Sequence, residues 1–513
     1  MLRTSIIMWA VTLVPWASPA QGFNEKYDAF GWGFEQTALG VELSLPGSTI
    51  FSTSSDCDSI SPTECFSHGS VLLTRLDEAG TLIWEKRSWR SGHTAVAGWA
   101  NCCDTIPGGG FIVGGASEAP DGSDEIYLMR FDANGDTLWT RVFGDPTLDD
   151  FWISYQVKRT MDGGFVMAGW TDQTGNRDGF ALKTDSQGNE EWRETYGWSA
   201  SNWDALGSVD LAANGDLFLG GARFISESDK QLWVQRTNAI GDQEWRVSWG
   251  GPWYDGSAVI QTLSDGHVLV ASGISQDDSG DQFRPYLAKL DSADGDILWD
   301  REYGPVAYRT VFFAGKEMVN GDLIACGVNN ANGDQQGLLL RTTSEGDSLW
   351  MRSYFYQDEL MNDGEGRFYD ILPTPDGGFI AAGAAYGSAG GNNPPGLSQD
   401  TWVVKVDGDG CIVPGCNTVG ITEQATNLLD ALSLYPNPAS EQLTIQLDLP
   451  ASIGGTALQL SVVGSDGRLV VQEQVASGTR ALSLSVATLS SGLYHVHITN
   501  GTTWLTGAKL VVE

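Results

Sequence analysis

The sequence predicts an all-β protein, a seven-bladed β-propeller followed by a small Ig-like β-sandwich. Three observations favour this fold class. The composition, with 64 Gly, 20 Trp and 18% charged residues, is typical of short strands joined by tight turns. A segment of about 50 residues recurs along most of the chain. The last ~80 residues alternate apolar and polar side chains over several short stretches. At 513 residues, the chain is long enough for several domains with buried cores.

Each repeat contains a glycine turn followed by a tryptophan, as in RFDANGDTLW at 130–139. The seven turn glycines are Gly80, Gly135, Gly188, Gly241, Gly295, Gly346 and Gly410. Six repeats carry the tryptophan four residues later: Trp84, Trp139, Trp192, Trp245, Trp299 and Trp350. A second element, such as GGGFIVGGA or DGGFVMAGW, precedes the turn in each repeat. Each unit therefore reads as four short strands, the pattern of a propeller blade. A solenoid is the alternative repeat fold, but units this long favour radial closure.

The two ends of the repeat region complement each other. The seventh repeat has no tryptophan-bearing strand, because after Gly410 it continues into CIVPGC. Near the N-terminus, FNEKYDAFGWG resembles the fourth strand of the other repeats. We therefore expect residues 23–30 to supply the outer strand of the last blade, which would remove an unpaired sheet edge.

The acids around the repeated turn raise the question of a calcium loop. An EF-hand loop needs Gly at position 6 and a bidentate Glu at position 12. Counted from Asp132, Gly135 falls at position 4 and Phe143 at position 12, and Asn238 and Thr343 replace the acid in other copies. The persistent glycine instead favours a hairpin that needs positive φ, with the tryptophan packed between neighbouring blades. The sequence predicts no cofactor or metal site and leaves calcium open as a ligand.

The pattern D-x-x-G-x-x-x-W resembles the repeat of pyrroloquinoline-quinone propellers, in which each blade docks a Trp on its neighbour. It stands at Asp77/Gly80/Trp84, Asp132/Gly135/Trp139 and Asp185/Gly188/Trp192. The resemblance implies blade packing. The adjacent Cys102 and Cys103 match the vicinal disulfide of such quinone enzymes, but those usually have eight blades. A quinone enzyme is therefore not favoured.

The N-terminus has the features of an export signal. Arg3 precedes the apolar run SIIMWAVTLVPWA, and SPA ends at Ala20. We expect a signal peptide at 1–20 with cleavage after Ala20, and a membrane anchor is the alternative. No later stretch reaches 18 consecutive apolar residues, so the mature protein is expected to be soluble.

Export would place the cysteines in an oxidising compartment. Cys57 and Cys65 share one loop, and Cys411 and Cys416 share another, so we expect two disulfides, Cys57–Cys65 and Cys411–Cys416. Cys102, Cys103 and Cys326 remain, and because their number is odd, at least one is free or paired unusually.

The C-terminal segment begins LSLYPNPASEQLTIQLDLP at Leu432 and ends GAKLVVE. It resembles the type A C-terminal sorting domain carried by substrates of the type IX secretion system of Bacteroidota. The matching residues are Pro436, Asn437, Pro438, Gly467, Arg468, Gly492, Tyr494 and Lys509. The resemblance implies contact with the type IX machinery, translocation across the outer membrane, and release or attachment at the cell surface. The expected domains are a propeller at 21–416, a linker at 417–431 and the sorting sandwich at 432–513; a plain accessory binding sandwich is the alternative.

The net charge of −36 argues against nucleic acid or anionic lipid as a partner. In each repeat the connections between the second and third strands, and between successive repeats, are longer and more variable than the other turns. Ligands tend to bind on variable loops over a rigid scaffold, and these loops are rich in Trp, Tyr, Asp and Asn. The candidate ligand-binding residues are Trp198, Trp203, Asp204, Trp253, Tyr254 and Asp255.

Motifs of catalysis are sparse. The sequence contains no H-E-x-x-H, G-x-S-x-G, C-x-x-C or P-loop pattern, and no catalytic residue is predicted. The favoured function is binding or adhesion, with an extracellular glycan or protein as ligand. The alternatives are a secreted carbohydrate-active enzyme, a glycosidase or lyase acting through acidic side chains, and a structural envelope component.

Overall fold

The computed structural model describes most of the chain between residues 22 and 513. The described residues are 22–27, 36–43, 47–55, 69–88, 93–98, 100–119, 124–144, 156–172, 176–198, 203–330, 335–356, 364–387, 399–412, 416, 422–423, 431–447, 449, 458–464, 468–476, 478–500 and 503–513. The expected signal peptide with Ala20, the Cys57–Cys65 pair and Gly467 lie outside them. Within these ranges, no helix has both the length and the apolar character needed to span a bilayer.

The described residues form an all-β structure, as predicted. The strands up to residue 249 are β1 (Phe23–Tyr27), β2 (Gln36–Leu43), β3 (Ser48–Ser55), β4 (Gly69–Leu76), β5 (Leu82–Ser88), β6 (Thr94–Ala97), β7 (Cys103–Thr105), β8 (Phe111–Glu118), β9 (Asp124–Phe131), β10 (Thr137–Phe143), β11 (Gln156–Arg159), β12 (Phe165–Thr171), β13 (Asp178–Thr184), β14 (Glu190–Tyr196), β15 (Asp204–Leu211), β16 (Leu217–Ser226), β17 (Asp229–Thr237) and β18 (Gln243–Trp249). The next twelve are β19 (Val259–Thr262), β20 (Val268–Ser275), β21 (Gln282–Leu290), β22 (Ile297–Glu302), β23 (Ala307–Tyr308), β24 (Val311–Glu317), β25 (Leu323–Asn329), β26 (Gln336–Thr342), β27 (Ser348–Tyr354), β28 (Gly364–Pro373), β29 (Phe379–Gly387) and β30 (Gln399–Val406).

Over the described residues, these strands form seven antiparallel sheets of four or five strands, S1 to S7. In each sheet we name the strands a to d in the order of hydrogen-bonded neighbours. S1 is β2–β5, S2 is β6 and β7 followed by β8–β10, S3 is β11–β14, S4 is β15–β18, S5 is β19–β22 with β23, S6 is β24–β27, and S7 is β28, β29, β30 and β1. Each sheet contacts the next one along the chain, and S7 contacts S1.

The repeated turn between strands c and d is a hairpin whose acid caps the backbone. Gly135 has a φ of 80°, in the left-handed region that glycine adopts freely. Asp132 Oδ1 accepts hydrogen bonds of 2.8 Å from the backbone N–H groups of Asn134 and Asp136. Asn238 does the same for Ile240 and Asp242 in S4. The side-chain amide of Asn238 thus caps the turn as well as the carboxylate of Asp132 does, so the acid is not needed to bind an ion. The interpretation of this segment as a hairpin turn is therefore confirmed.

The tryptophan of each strand d packs on the turn glycine of the next sheet. A Cβ added at Gly135 would lie 2.5 Å from Trp84 Cη2, and one added at Gly188 would lie 2.8 Å from Trp139 Cη2. The same contact joins Trp192 to Gly241, Trp245 to Gly295, Trp299 to Gly346 and Trp350 to Gly410. The expected packing of the tryptophan between neighbouring sheets is therefore confirmed.

Strand β1 completes S7 and joins it to S1. It pairs antiparallel with β30, so the expectation that this segment supplies the outer strand of the last unit is confirmed over Phe23–Tyr27. The Phe23 ring takes the place of the tryptophan, because a Cβ added at Gly80 would lie 2.7 Å from it. Tyr27 Oη donates a hydrogen bond of 2.5 Å to Gly80 O. Tyr196, Tyr303 and Tyr354 donate the same bond to Gly241, Gly346 and Gly410.

Strand c of each sheet carries a cation opposite the strand-d tryptophan or, in S7, opposite Phe23. The pairs across strands c and d are Arg75–Trp84, Arg130–Trp139, Lys183–Trp192, Arg236–Trp245, Lys289–Trp299, Arg341–Trp350 and Lys405–Phe23. In five sheets this cation contacts an aspartate near the turn between strands a and b, as in the 2.8 Å ion pair of Lys183 with Asp162. All seven cations thus lie at the end of the sheets that carries the turns between strands c and d, and in five sheets an ion pair gives them the same structural role.

Strand a of S2 is interrupted, which brings S2 into contact with S6. Between β6 and β7, Ala100 and Asn101 have φ values of 37° and 54°, in the left-handed region. The bulge places Asn101 Oδ1 2.5 Å from Lys316 Nζ in S6, although the two residues are 215 positions apart. A side-chain contact therefore joins the strand a bulge of S2 to strand a of S6, although neither sheet follows the other along the chain.

The C-terminal strands form two further sheets. They are β31 (Thr422–Glu423), β32 (Leu432–Tyr435), β33 (Gln442–Leu447), β34 (Leu458–Gly464), β35 (Leu469–Val475), β36 (Ala481–Ser485), β37 (Gly492–Asn500) and β38 (Thr503–Val512). One sheet has the order β31-β38-β37-β34-β35 and the other β32-β33-β36. Alternate residues of β33, namely Leu443, Ile445 and Leu447, are buried in a core shared with β34 and β37. Thr422 and Glu423, within the expected linker, pair in parallel with β38.

Candidate ligand-binding site

A cavity of about 560 Å³ lies where strands b end and strands c begin in S3 and S4. Its walls come from S3, S4, S5 and S6, and Ala100 of the S2 bulge also lines it. Small residues leave the space open, among them Gly207, Gly221 and Gly256. A side chain at Gly221 would collide with the backbone, since an added Cβ would lie 2.0 Å from Ala205 O. The cavity lies at the end of the sheets with the long variable connections, where a ligand is expected from the sequence.

Arg177 stands at one side of the cavity between two indole rings. Its guanidinium carbon lies 3.8 Å from the ring centroid of Trp170 and 4.4 Å from that of Trp203. Its carbonyl accepts a 2.8 Å hydrogen bond from Asp204 N, which fixes the backbone at the start of strand c. Arg177 Nε also lies 3.5 Å from Asp172 Oδ1. The stacking holds the guanidinium plane in one orientation, while a quarter of the side chain stays exposed.

Lys230 stands at the other side, at the equivalent position of strand c in S4. Its Nζ lies 4.4 Å from the ring centroid of Tyr254 and 5.9 Å from that of Phe224. Burial lowers the pKa of Lys230 to about 8, against the opposing charge of Asp255. Among the described residues, no hydrogen bond or ion pair reaches its Nζ. The ammonium therefore lies beside aromatic faces rather than against a carboxylate.

Rings connect the two cations into one surface. Trp203 packs edge-on against Phe224 at 6.4 Å between centroids, and Phe224 packs edge-on against Tyr254 at 5.8 Å. Trp203 is 54% exposed, so one indole surface is open to solvent. We call Trp170, Arg177, Trp203, Phe224, Lys230 and Tyr254 the aromatic–cationic cluster.

Two of the sequence-derived candidates, Asp204 and Asp255, are fully buried and cap the backbone. Asp204 Oδ2 accepts a 2.7 Å bond from Trp198 N, and Oδ1 accepts one of 3.3 Å from Phe224 N. Asp255 accepts bonds of 2.7 and 2.8 Å from Gly251 N and Ser275 N. Burial raises the pKa of both carboxyl groups, that of Asp255 to about 6. Their oxygens are used inside the fold, where they position the loops that carry Trp203 and Tyr254.

The remaining candidates differ in their surroundings. Trp203 and Tyr254 belong to the aromatic–cationic cluster. The Trp198 ring is covered by the guanidinium groups of Arg223 and Arg246, whose carbons lie 4.3 and 4.1 Å from the ring centroid. Trp253 is half-buried, and its carbonyl accepts a bond from Lys230 N. The structure thus brings Trp203 and Tyr254 together and sets Trp198 in a separate stack.

Sequence reasoning missed the two cations, although a signal was present. Arg177 and Lys230 occupy one repeat position, two residues before the first buried stretch of strand c. In the other sheets this position holds Gly69, Asp124, Phe283, Gln335 and Gln399. Aligning the repeats at this position would have shown that cations occur there only in S3 and S4.

The described cysteines comprise one disulfide-bonded pair and three free thiols. Cys411 and Cys416 form a disulfide with a Cα–Cα distance of 5.6 Å, so this prediction is confirmed. Cys102, Cys103 and Cys326 are free and buried. Burial raises the pKa of the Cys103 and Cys326 thiols well above the usual range. The Cys57–Cys65 prediction lies outside the described residues.

The described residues of the sorting motif gather at the ends of β37 and β38. Asn437 binds the last strand with both ends of its amide, since Nδ2 donates to Lys509 O at 2.7 Å and Oδ1 accepts from Val511 N at 2.9 Å. Pro436 and Pro438 flank it, each after a cis peptide bond. Arg468, Gly492 and Tyr494 line a separate cleft of about 610 Å³.

Comparison with known proteins identifies the tail. A model of the secretion system C-terminal sorting domain matches residues 433–513. The tail therefore indicates export by type IX secretion, with the protein secreted or attached to the outer cell surface. A comparison with curated proteins finds no significant match.

Solved structures show only distant likenesses. A protein of unknown function from Dyadobacter fermentans is 10% identical with a TM-score of 0.44, covering 76% of this chain and 98% of that one. The polysaccharide lyase Uly1 is 8% identical with a TM-score of 0.42, covering 72% and 90%. An α-L-arabinanase from Penicillium chrysogenum is 12% identical with a TM-score of 0.37, covering 72% and 93%. At these scores, no function of this chain follows from the likenesses.

Proposed function

We propose that the protein is a secreted or surface-attached β-propeller that binds an extracellular glycan. Under this proposal S1 to S7 are seven blades, closed by β1, and the C-terminal strands form an Ig-like sandwich that docks on the type IX machinery. The repeated tryptophan–glycine contacts and the contact of S7 with S1 support the ring. Residues 21–416, 417–431 and 432–513 then serve as binding domain, linker and sorting domain.

One observation carries the binding function: an open cavity is lined by Arg177 and Lys230, and the exposed ring of Trp203 and the half-buried ring of Tyr254 lie beside these two cations. Aromatic faces pack against the apolar faces of sugar rings, and nearby polar groups fix the orientation of a bound ligand. The described lining residues include Arg and Lys but no Asp, Glu or His. This lining favours binding over glycoside cleavage by a carboxylate pair.

The purified full chain on a glycan array, with and without calcium, tests the proposal. We expect binding to a defined set of glycans, reduced at least about tenfold in Trp203→Ala because that variant removes the exposed ring of the cluster. Trp198→Ala, in the separate stack, is the matched control and should retain affinity if it folds. Cleavage of a bound polysaccharide would replace the binding proposal by the enzyme alternative. Capture of proteins but of no glycan would contradict glycan binding.

A further inference from the structure

We propose that the cavity beside the aromatic–cationic cluster binds an anionic saccharide, one that carries carboxylate or sulfate groups. This inference rests on the proposed function and specifies the ligand class of the same site. It is based on two cations, Arg177 and Lys230, that line the same cavity although the chain as a whole has a net charge of −36.

Two cations line this cavity in a chain that contains few of them. Only 29 residues are Lys or Arg, against 65 Asp and Glu. Seven of the cations fill the repeated position opposite the strand-d tryptophan or Phe23, at the other end of the sheets. Arg177 and Lys230 have no part in that pattern, and they line one cavity whose described walls contain no carboxylate.

The nearby acids leave this charge largely uncompensated. Asp255 acts on Lys230, but it is fully buried and both of its oxygens accept backbone N–H bonds. Asp172 lies 3.5 Å from Arg177 Nε, a long ion pair that leaves the terminal nitrogens of the guanidinium for a ligand. A planar guanidinium can bind carboxylate or sulfate through two parallel bonds, and an ammonium adds a point charge.

The aromatic rings beside the cations indicate that the ligand also has an apolar face. Trp203 and Tyr254 lie beside the cations and offer ring surface to an apolar sugar face. A free inorganic anion would use the cations alone. A saccharide with acidic groups would use both features, because its ring can pack on the indole while its acid reaches Arg177 or Lys230.

Calorimetric titration of the full chain with three oligosaccharides of matched length tests the inference: oligogalacturonides, sulfated galacto-oligosaccharides and neutral galacto-oligosaccharides. We expect one or both acidic ligands to bind at least about tenfold more tightly than the neutral one, with affinity falling as salt rises. The acidic ligand that binds better identifies the anionic group. Arg177→Met and Lys230→Met should each weaken acidic binding about tenfold or more, whereas Arg177→Lys and Lys230→Arg should lose less.

Arg301→Met, on exposed β22 outside the cavity, is the control for lost net charge and should leave affinity unchanged. Thermal unfolding of each variant checks that it folds. Equal affinity for neutral and acidic ligands, or Met variants that bind acidic ligands as well as the parent, would overturn the inference and leave glycan binding intact. If none of the three classes binds, the inference fails, and the glycan array decides separately whether the protein binds any glycan.

Discussion

At the scale of single residues, two separate structural requirements call for glycine in the turn between strands c and d. The glycine adopts positive φ in this turn, and it leaves room for the tryptophan of the preceding sheet. Gly135 and Gly266 have nearly the same φ, 80° and 88°, but nothing lies within 4 Å of a Cβ added at Gly266. Comparing a substitution at Gly135 with one at Gly266 therefore distinguishes the cost of backbone strain from the cost of lost packing.

We expect Gly135→Ala to destabilise the protein by about 1–3 kcal/mol more than Gly266→Ala. Both variants incur positive-φ strain of about 1–2 kcal/mol, but only Gly135→Ala drives a methyl group into the Trp84 ring. Denaturant unfolding of the two variants measures the difference. Equal losses would show that Trp84 does not pack tightly on this turn.

At the scale of elements, β37 buries two histidines, which alternate along the strand with the core residues Val496 and Ile498. His495 and His497 are stacked with ring centroids 6.3 Å apart. Burial, and then the charge of His495, lowers the pKa of His497 to about 4, and burial also lowers the pKa of His495. The folded tail therefore binds fewer protons near pH 5 than the unfolded tail does.

Stability of the tail should fall with acid, because unfolding releases His497 to a normal pKa of about 6.5. The tail keeps its full stability while the pH is above the unfolded pKa of about 6.5. It loses stability as the pH falls from there toward the folded pKa of about 4. Between pH 7.5 and pH 5 we expect a loss of about 2 kcal/mol. Hydrogen exchange of the β37 amides, followed over this range, measures it.

His497→Gln should flatten that pH dependence, and His267→Gln, outside the tail, should leave it unchanged. A pH profile of β37 exchange that is the same in the parent and in His497→Gln would contradict the assignment.

At the scale of the whole molecule, the decisive contact is the one between the first and last sheets. The Phe23 ring packs on Gly80, as the Trp350 ring packs on Gly410. The Tyr27 hydroxyl donates to Gly80 O, as the Tyr354 hydroxyl donates to Gly410 O. Asp370 adds a buried bond, since its Oδ2 accepts from Val41 N at 3.0 Å. If the ring is closed, the S7–S1 junction should contribute as much to stability as a junction between sheets adjacent in sequence.

We expect Phe23→Ala to cost about 3–5 kcal/mol in the free energy of unfolding, close to the cost of Trp350→Ala. Phe23 is 4% exposed and packs on the turn of S1, so its loss leaves a cavity at the junction. Denaturant unfolding of the two variants gives both values. A loss below about 1 kcal/mol for Phe23→Ala, with a large loss for Trp350→Ala, would indicate an open array of sheets.

Much of this architecture could be predicted because its determinants are local and repeated. A glycine that needs positive φ, a capping acid and a tryptophan four residues later recur in step, so the turn and its neighbour contact follow from the sequence alone. The pairing of Phe23–Tyr27 with the last repeat was also predictable, because the two ends each lack what the other supplies. The tail was identified from its own motif residues in the same way.

For the proposed ligand site, the sequence predicted only that it would lie among the long variable connections. Trp203 and Tyr254 stand in the cluster, but Asp204 and Asp255, chosen for their acids, are used inside the fold because each carboxylate accepts backbone N–H bonds. Burial of this kind does not show in a loop sequence, since an exposed and a buried aspartate look alike.

The sequence by itself thus determined the repeat, its turns, the exported tail and the variable face. Only the tertiary structure decided that Arg177 and Lys230, in neighbouring repeats, line one cavity, and that the Ala100–Asn101 bulge meets Lys316 from a distant repeat. The physical reason is that turns depend on φ and on bonds within a few residues. The cavity depends on how whole sheets pack side by side, which no short stretch of sequence encodes.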